Sequence, residues 1–163
     1  MLAIVAPGQG SQTPGFLAPW VEIPRVRELL AWWSAVADID LIRLGTVADA
    51  EEIKETENAQ PLIVAAGLVG ALSLFPHPSD AFNKVAVTAG HSVGELTAAA
   101  GARAITAESA MVLVRERGKA MAEASARVAT GMSAVLGGER DLVIAAIEKF
   151  GLTAANENGA GQI

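Results

Sequence analysis

A serine between two glycines is the clearest chemical signal in the sequence. Ser92 lies in the segment Gly90-His91-Ser92-Val93-Gly94, which has the G-x-S-x-G form of a nucleophile elbow. An apolar run precedes the segment and helix formers follow it, as an elbow requires. The helix would place backbone N–H groups beside the serine oxygen. The pattern predicts a nucleophilic Ser92, although a glycine-rich turn whose serine caps a helix has the same composition.

A nucleophilic serine needs a general base, and the sequence offers few candidates for it. The chain contains two histidines, His77 and His91, and no cysteine. Because neighbouring side chains across such a turn point in different directions, we expect His91 to shape the site rather than to act as the base. His77 lies among prolines, where a solvated loop histidine is the simpler interpretation. The absence of cysteine excludes thiolate catalysis and disulfides.

A cluster of charges in a predicted helix contains a candidate anion-binding residue. Arg117 lies in the run Arg115-Glu116-Arg117-Gly118-Lys119. A planar guanidinium can hold a carboxylate with two hydrogen bonds. From these residues alone, the better interpretation of Arg117 is one more solvated charge on a helix surface.

The elements that must position these residues follow a strand–helices–strand–helices order. The predicted elements are a buried strand at Leu2–Ala6, a helix at Pro24–Ala37, a short acidic helix at Asp49–Glu55, a central apolar helix opened by Pro61, a loop at Phe75–Asn83, a strand at Lys84–Ala89, and helices at Glu95–Ala100 and Ala107–Arg127.

The pattern changes after Thr130-Gly131. We predict a strand at Met132–Leu136, a helix at Glu139–Phe150 and a second strand at Leu152–Ala155, which together make a βαβ run. This predicts two domains, one covering residues 1–127 and a smaller one covering 128–163.

Composition limits the classes of partner. The 163 residues are 52% hydrophobic and carry a net charge of −6, which argues for a globular chain without a general attraction to nucleic acid or anionic membranes. The N-terminus lacks the basic region of a signal peptide. The apolar segment from Pro61 to Leu74 is interpreted as too short to span a bilayer. We therefore expect a cytoplasmic protein that binds neither nucleic acid nor membrane.

Several segments accompany the elbow in a fixed order. They are Pro7-Gly8-Gln9-Gly10-Ser11-Gln12, Thr56-x-x-x-Gln60-Pro61, Gly90-His91-Ser92-Val93-Gly94-Glu95, Arg117-Gly118 and Gly131-Met132-Ser133-Ala134-Val135. With them the sequence resembles the malonyl-CoA:acyl carrier protein transacylases of type II fatty acid synthesis, and also the related acyltransferase domains of polyketide synthases. The freestanding transacylase is the better match because Met1 stands directly before the first motif.

The resemblance implies catalytic roles for three residues. Ser92 would take the malonyl group from malonyl-CoA and pass it to the phosphopantetheine thiol of acyl carrier protein. The backbone N–H groups of Gln9 and Val93 would form the oxyanion hole. The family's catalytic histidine lies well past the serine, in a segment that this chain lacks.

The resemblance also implies substrate-binding residues. Arg117 would bind the free carboxylate of the malonyl group. We expect Gln60 near the acyl pocket, although a buried hydrogen-bonded amide explains it equally well. We also expect His91 among the substrate-binding residues. The family implies no metal and no cofactor besides its two substrates.

Family members are close to twice the length of this chain. The implied fold is a partial α/β-hydrolase-like parallel-sheet domain with the start of an inserted ferredoxin-like α+β subdomain. We expect the N-terminal half of a transacylase, truncated and without full activity alone. The alternatives are a serine hydrolase or thioesterase of the α/β type, and a non-catalytic fragment that binds acyl-CoA.

Overall fold

The computed structural model describes residues 2–75, 77–128, 130–159 and 161–163, and it has an α/β fold with a small parallel sheet. The chain divides into two compact units, Met1–Arg127 and Val128–Ile163. The elements of the first unit are β1 (Leu2–Ala6), α1 (Ala18–Val21), α2 (Pro24–Ala37), α3 (Leu41–Thr46), a 3-10 turn (Glu52–Lys54), α4 (Thr56–Leu74), α5 (Pro78–Lys84), β2 (Val85–Gly90), α6 (Gly94–Gly101) and α7 (Ala107–Arg127).

Two parallel strands place the candidate site. β1 pairs with β2 so that Ala6 lies opposite Gly90, and the carboxyl ends of both strands therefore meet at one edge of the sheet. The prediction that β1 is fully buried is wrong, because Val5 is 72% exposed. β1 has one neighbouring strand among the described residues, and a two-stranded sheet leaves much of each strand uncovered.

The helix α4 is the centre of the core, as its apolar sequence predicts. Its buried residues include Leu62 and Val69, and the core also contains Trp33 of α2 and Met111 of α7. The helix begins at Thr56, so the prediction that Pro61 opens it is wrong. A proline inside a helix leaves the carbonyl four residues earlier without its usual donor. Here the guanidinium of Arg115 donates to that carbonyl, Glu57 O, at 3.0 Å.

The corrected start changes the length argument for α4. The helix has 19 residues and is long and apolar enough to cross a membrane by length and composition, in contrast to the prediction of a segment that is too short. Half of its apolar stretch is buried inside the fold. Core helices of globular proteins pass the same test, and the contacts of α4 with α7 are those of a core helix.

Two further predictions for the first unit are corrected. The segment Phe75–Asn83, predicted as a loop, contains α5, which has a proline in its first turn, where the missing N–H is tolerated. Pro76 lies outside the described residues. The acidic helix predicted at Asp49–Glu55 is a 3-10 turn of three residues, Glu52–Lys54, and the carboxylate of Asp49 accepts hydrogen bonds from the N–H groups that lead into it.

The second unit contains the helix α8 (Arg140–Lys149). In its described part, 130–159 and 161–163, neither predicted strand forms, so the predicted βαβ run is wrong in its strands. An isolated antiparallel bridge joins Leu136 to Gln162. Arg140 forms an ion pair with Glu157 at 2.6 Å, which lowers the pKa of the Glu157 carboxyl.

Candidate active site

The turn between β2 and α6 holds Ser92 in a backbone conformation typical of a nucleophile elbow. Ser92 has a φ of 53°, in the left-handed region that residues other than glycine rarely adopt. The N–H of His91 donates to Ala6 O at 3.0 Å, and the N–H of Gly94 donates to His91 O at 2.9 Å. These hydrogen bonds fix the turn to the end of β1 and leave the Ser92 residue exposed.

A close approach of two backbones explains the glycine at position 94. A Cβ added at Gly94 would lie 2.4 Å from Ala6 O and 2.6 Å from Pro7 O. Any side chain at this position would push the elbow away from β1. The segment that follows β1 and the turn that contains Ser92 therefore lie side by side.

A cation from α7 reaches the serine. The Nη2 atom of Arg117 donates to Ser92 Oγ at 3.1 Å, and the Arg117 residue is partly exposed. A guanidinium is a donor without an acceptor lone pair, so Arg117 cannot take the serine proton. Its place beside Ser92 would suit an anionic group carried by a substrate.

A buried amide from α4 holds the other side of this guanidinium. The Nη1 atom of Arg117 donates to Gln60 Oε1 at 2.5 Å. The Nε2 atom of Gln60 donates to Met121 Sδ at 3.2 Å, and Gln60 is 1% exposed. Both interpretations of Gln60 from sequence are therefore compatible with its position, since it is a hydrogen-bonded buried amide next to the candidate site.

Side-chain amides attach the loop after β1 to the 3-10 turn. Gln12 Nε2 donates to Ile53 O at 3.0 Å, and Gln12 Oε1 accepts from the N–H of Gly10 at 2.9 Å. Gln9 Nε2 lies 3.4 Å from both Lys54 O and Thr56 Oγ1. The Gln9 side chain thus contacts this support, and a role in the site would fall to its backbone N–H.

An exposed ion pair stabilises the turn that supports this loop. The guanidinium of Arg43 on α3 forms two hydrogen bonds with the carboxylate of Glu52, one at Nη1 of 3.1 Å and a shorter one at Nη2. The hydrogen bond with Arg43 lowers the pKa of Glu52 and raises that of Arg43. The nearby carboxylate of Asp49 acts in the opposite direction on Glu52.

The remaining predicted site residues lie around the elbow. Val93 follows Ser92 and is 1% exposed, and the backbone hydrogen bonds of the first helical turn begin with the N–H of Gly94. The exposed His91 lies over the loop after β1, since a Cβ added at Gly8 would be 2.6 Å from His91 Nδ1. His77 is exposed at the start of α5.

Comparison with known proteins adds an independent observation. A malonyl CoA-acyl carrier protein transacylase of Mycobacterium tuberculosis is 50% identical over all 163 residues, which is 100% of this chain and 54% of that protein. Another of Mycolicibacterium smegmatis is 46% identical over 147 residues, covering 90% of this chain and 50% of the relative. A crystal structure of MCAT from Mycobacterium tuberculosis has a TM-score of 0.90 at 49% identity, covering 99% of this chain and 53% of that one.

The chain resembles malonyl CoA-acyl carrier protein transacylases over its whole length. The resemblance predicted from the motifs is therefore confirmed. The chain spans about half the length of the curated transacylases that it matches. No family model matches the chain. A further solved structure, described as a type II PKS acyl-carrier protein in complex with its malonyl-transacylase, has a TM-score of 0.75 at 30% identity and covers 90% of this chain and 47% of that one.

The candidate site also contains contacts that the sequence does not predict. The structure joins Ser92, Arg117 and Gln60 through hydrogen bonds. The sequence carries a signal for two of the contacting residues, because Gln12 ends the first motif and Met121 lies one helical turn after Arg117. The role of Arg115 at Glu57 O depends on the proline inside α4, which the sequence analysis places at the helix start.

Proposed function

We propose that the protein transfers a malonyl group from malonyl-CoA to the phosphopantetheine thiol of acyl carrier protein, through a malonyl ester of Ser92, in fatty acid synthesis. The observation that carries the proposal is the 3.1 Å contact between Arg117 Nη2 and Ser92 Oγ at a left-handed elbow. It puts a carboxylate-binding group beside a nucleophile. Ordinary serine hydrolases of the α/β type do not need such a cation.

In the first half-reaction, Ser92 Oγ attacks the thioester carbonyl carbon of malonyl-CoA. The backbone N–H groups of Gln9 and Val93 stabilise the tetrahedral oxyanion. The carbon–sulfur bond then breaks, and coenzyme A leaves as a thiol that takes the proton removed from the serine. The product of this step is the malonyl ester of Ser92.

In the second half-reaction, the phosphopantetheine thiol of acyl carrier protein attacks the ester carbonyl. The ester bond to Ser92 breaks, the thiol proton returns to Oγ, and the malonyl thioester departs. The same oxyanion hole serves both steps. The two half-reactions balance without an oxidant, a metal or a cofactor beyond the two substrates.

Arg117 provides the preference for malonyl over acetyl groups. Its guanidinium is a planar double donor that matches the free carboxylate of the malonyl group. An acetyl group lacks this carboxylate and leaves the cation without an anionic partner, which disfavours the complex. Gln60 and His91 line the same region of the site in this proposal.

Proton transfer requires a base other than Arg117. The resemblance assigns this role to a histidine that lies well after the serine in the transacylases and has no counterpart among residues 1–163. Residues 1–163 alone are therefore expected to acylate slowly or not at all.

We assign the first unit to a partial α/β-hydrolase-like domain and the second to the start of a ferredoxin-like subdomain. The parallel pairing of β1 and β2 with an elbow after β2 supports the first assignment. The helix α8 and the bridge between Leu136 and Gln162 support the second. The bacterial relatives and the net charge of −6 favour an activity in the cytoplasm, without nucleic acid or membrane as a partner.

Intact-protein mass spectrometry after exposure to malonyl-CoA tests the proposal. We expect a malonyl adduct on the full gene product, a weaker adduct from acetyl-CoA, and none on Ser92→Ala. Adding acyl carrier protein with its phosphopantetheine arm should remove the adduct and yield malonylated carrier. An unmodified full gene product, or an adduct that persists in Ser92→Ala, contradicts the proposed function.

A further inference from the structure

A buried amide and a partly exposed guanidinium depend on each other in this site. Gln60 lies on α4 among buried apolar neighbours, with 1% of its surface exposed. A buried amide is costly unless its polar atoms are hydrogen-bonded. Its oxygen accepts from Arg117 Nη1 at 2.5 Å, and its nitrogen donates to Met121 Sδ at 3.2 Å.

The chemistry of the two partners determines which way the amide faces. Arginine is a donor without an acceptor, so the atom of Gln60 that faces Arg117 must be the oxygen. The amide nitrogen then faces the thioether of Met121, which is a weak acceptor. The strong hydrogen bond of Gln60 is therefore the one with Arg117.

This hydrogen bond determines where the cation lies relative to the nucleophile. Arg117 donates from Nη1 to Gln60 and from Nη2 to Ser92 Oγ at 3.1 Å. Because a guanidinium is rigid and planar, fixing one terminal nitrogen orients the other. Without Gln60, a long side chain that is partly exposed would have many rotamers in which it leaves the serine.

A second arginine on α7 has a different anchor on α4. Arg115 also reaches α4, but it donates to the backbone carbonyl of Glu57 at 3.0 Å. Gln60 holds Arg117 through a side chain. A substitution at position 60 can therefore release Arg117 while the anchor of Arg115 remains in place.

We propose that Gln60 is a positioning residue that sets the preference for anionic acyl groups by holding the Arg117 guanidinium beside Ser92. This inference rests on the proposed function. Gln60 need not touch the substrate, and it acts through Arg117. Its amide also holds the arginine without neutralising it, so the positive charge remains available to a carboxylate.

The test compares Gln60→Met and Gln60→Glu in the full gene product. Methionine has a similar volume but offers no comparable acceptor, whereas glutamate keeps an acceptor for Nη1 and partly neutralises the cation. For Gln60→Met we expect kcat/KM with malonyl-CoA to fall about ten- to hundredfold, mainly through KM, with little change for acetyl-CoA. The ratio of malonyl to acetyl transfer should be highest in the wild type, intermediate in Gln60→Glu and lowest in Gln60→Met.

A double-mutant cycle with Arg117→Ala shows whether Gln60 acts through the arginine. In the Arg117→Ala background, Gln60→Met should produce no further loss of the malonyl preference. Asn58→Ala is the matched control, because Asn58 is an amide on the same helix that donates to Glu52 O and to Glu55, away from Arg117. It should change transfer of both acyl groups equally.

The possible outcomes separate this inference from the proposed function. A wild type that accepts no malonyl group overturns both. The wild type could instead accept the malonyl group while the variants at position 60 lower malonyl and acetyl transfer equally. That result overturns the inference about Gln60 and leaves the proposed function standing. The same holds if Gln60→Met loses as much preference with Arg117→Ala as without it. If one variant does not fold by circular dichroism, the other decides.

Discussion

The guanidinium of Arg115 donates to the backbone carbonyl of Glu57 at 3.0 Å, at the point where Pro61 lacks the N–H that would otherwise bond it. A helical carbonyl receives its hydrogen bond from the residue four positions later, and proline cannot donate one. The side chain of α7 therefore completes the hydrogen bonds of α4. This contact also fixes the register of α7 two residues before Arg117, and it connects the core to the candidate site.

Replacing Arg115 tests this relationship. We expect Arg115→Met to lower the free energy of unfolding by about 1–3 kcal/mol, because the carbonyl of Glu57 loses its donor. In a Pro61→Ala background, the backbone N–H of the alanine can donate to the Glu57 carbonyl. The loss of stability caused by Arg115→Met should then be smaller by about 1 kcal/mol. Denaturant unfolding of the four proteins measures the coupling. Equal costs in both backgrounds would show that Arg115 does not replace the missing donor.

The charge and the shape of Arg117 should have separable effects on selectivity. Arg117→Ala removes the cation, and we expect kcat/KM for malonyl-CoA to fall about a hundredfold while acetyl transfer is retained. Arg117→Lys keeps the charge but loses the planar pair of donors, so its loss should be about tenfold. Steady-state transfer by the full gene product with both acyl-CoA substrates measures the ratio. A malonyl preference that survives Arg117→Ala would remove Arg117 from the proposed role.

Much of the local structure around Ser92 is predictable because it depends on short-range chemistry. The glycines at 90 and 94 permit the turn. The apolar run before the turn is typical of a strand, and the residues after it are typical of a helix. The helices Pro24–Ala37 and Ala107–Arg127 have the predicted bounds because each has a regular apolar face. These features need no information about distant parts of the chain.

The features that sequence reasoning misses depend on tertiary contacts. Pro61 lies inside α4, and Arg115 from another helix donates to the carbonyl that the proline leaves without a donor. The contact between Gln60 and Arg117 joins residues 57 positions apart, which no local pattern contains. In the second unit, the segments predicted as strands are exposed in the structure, and Leu152 is 65% exposed. They have no buried face of the kind that a strand of a sheet would cover.

The close approach at Gly94 should make it intolerant of any side chain. A Cβ at this position would lie 2.4 Å from Ala6 O, so the backbone of either β1 or the elbow must move. We expect Gly94→Ala to cost about 1–3 kcal/mol of stability and to slow acylation of Ser92. Gly70→Ala is the control, since nothing lies within 4 Å of its added Cβ and α4 should gain about 0.5–1 kcal/mol. Similar effects of the two substitutions on unfolding would contradict the close packing.

The loop after β1 should respond differently to its two glutamines. Gln12→Ala removes the 3.0 Å hydrogen bond to Ile53 O, and we expect the loop to loosen and kcat for malonyl transfer to fall about tenfold. Gln9→Ala removes only long side-chain contacts of 3.4 Å and keeps the backbone N–H, so its effect should be smaller. Single-turnover acylation of Ser92 compares them. A larger loss in Gln9→Ala than in Gln12→Ala would assign a catalytic role to the Gln9 side chain.

The ion pair between Arg43 and Glu52 should make stability depend on pH. The hydrogen bond with Arg43 lowers the pKa of Glu52 below its ordinary value of 4.5, so the folded state favours the carboxylate. The ion pair therefore stabilises the folded state above that ordinary pKa. This stabilisation is lost as the pH falls through the lowered pKa of Glu52 in the folded protein. Glu52→Gln should therefore be less stable than the wild type at neutral pH, and the difference should vanish in acid. Unfolding curves over a pH series measure it, with Glu51→Gln, a neighbour whose partner Lys54 is more exposed, as the control. A difference between wild type and Glu52→Gln that is constant with pH would show that packing, and not the ion pair, accounts for the effect.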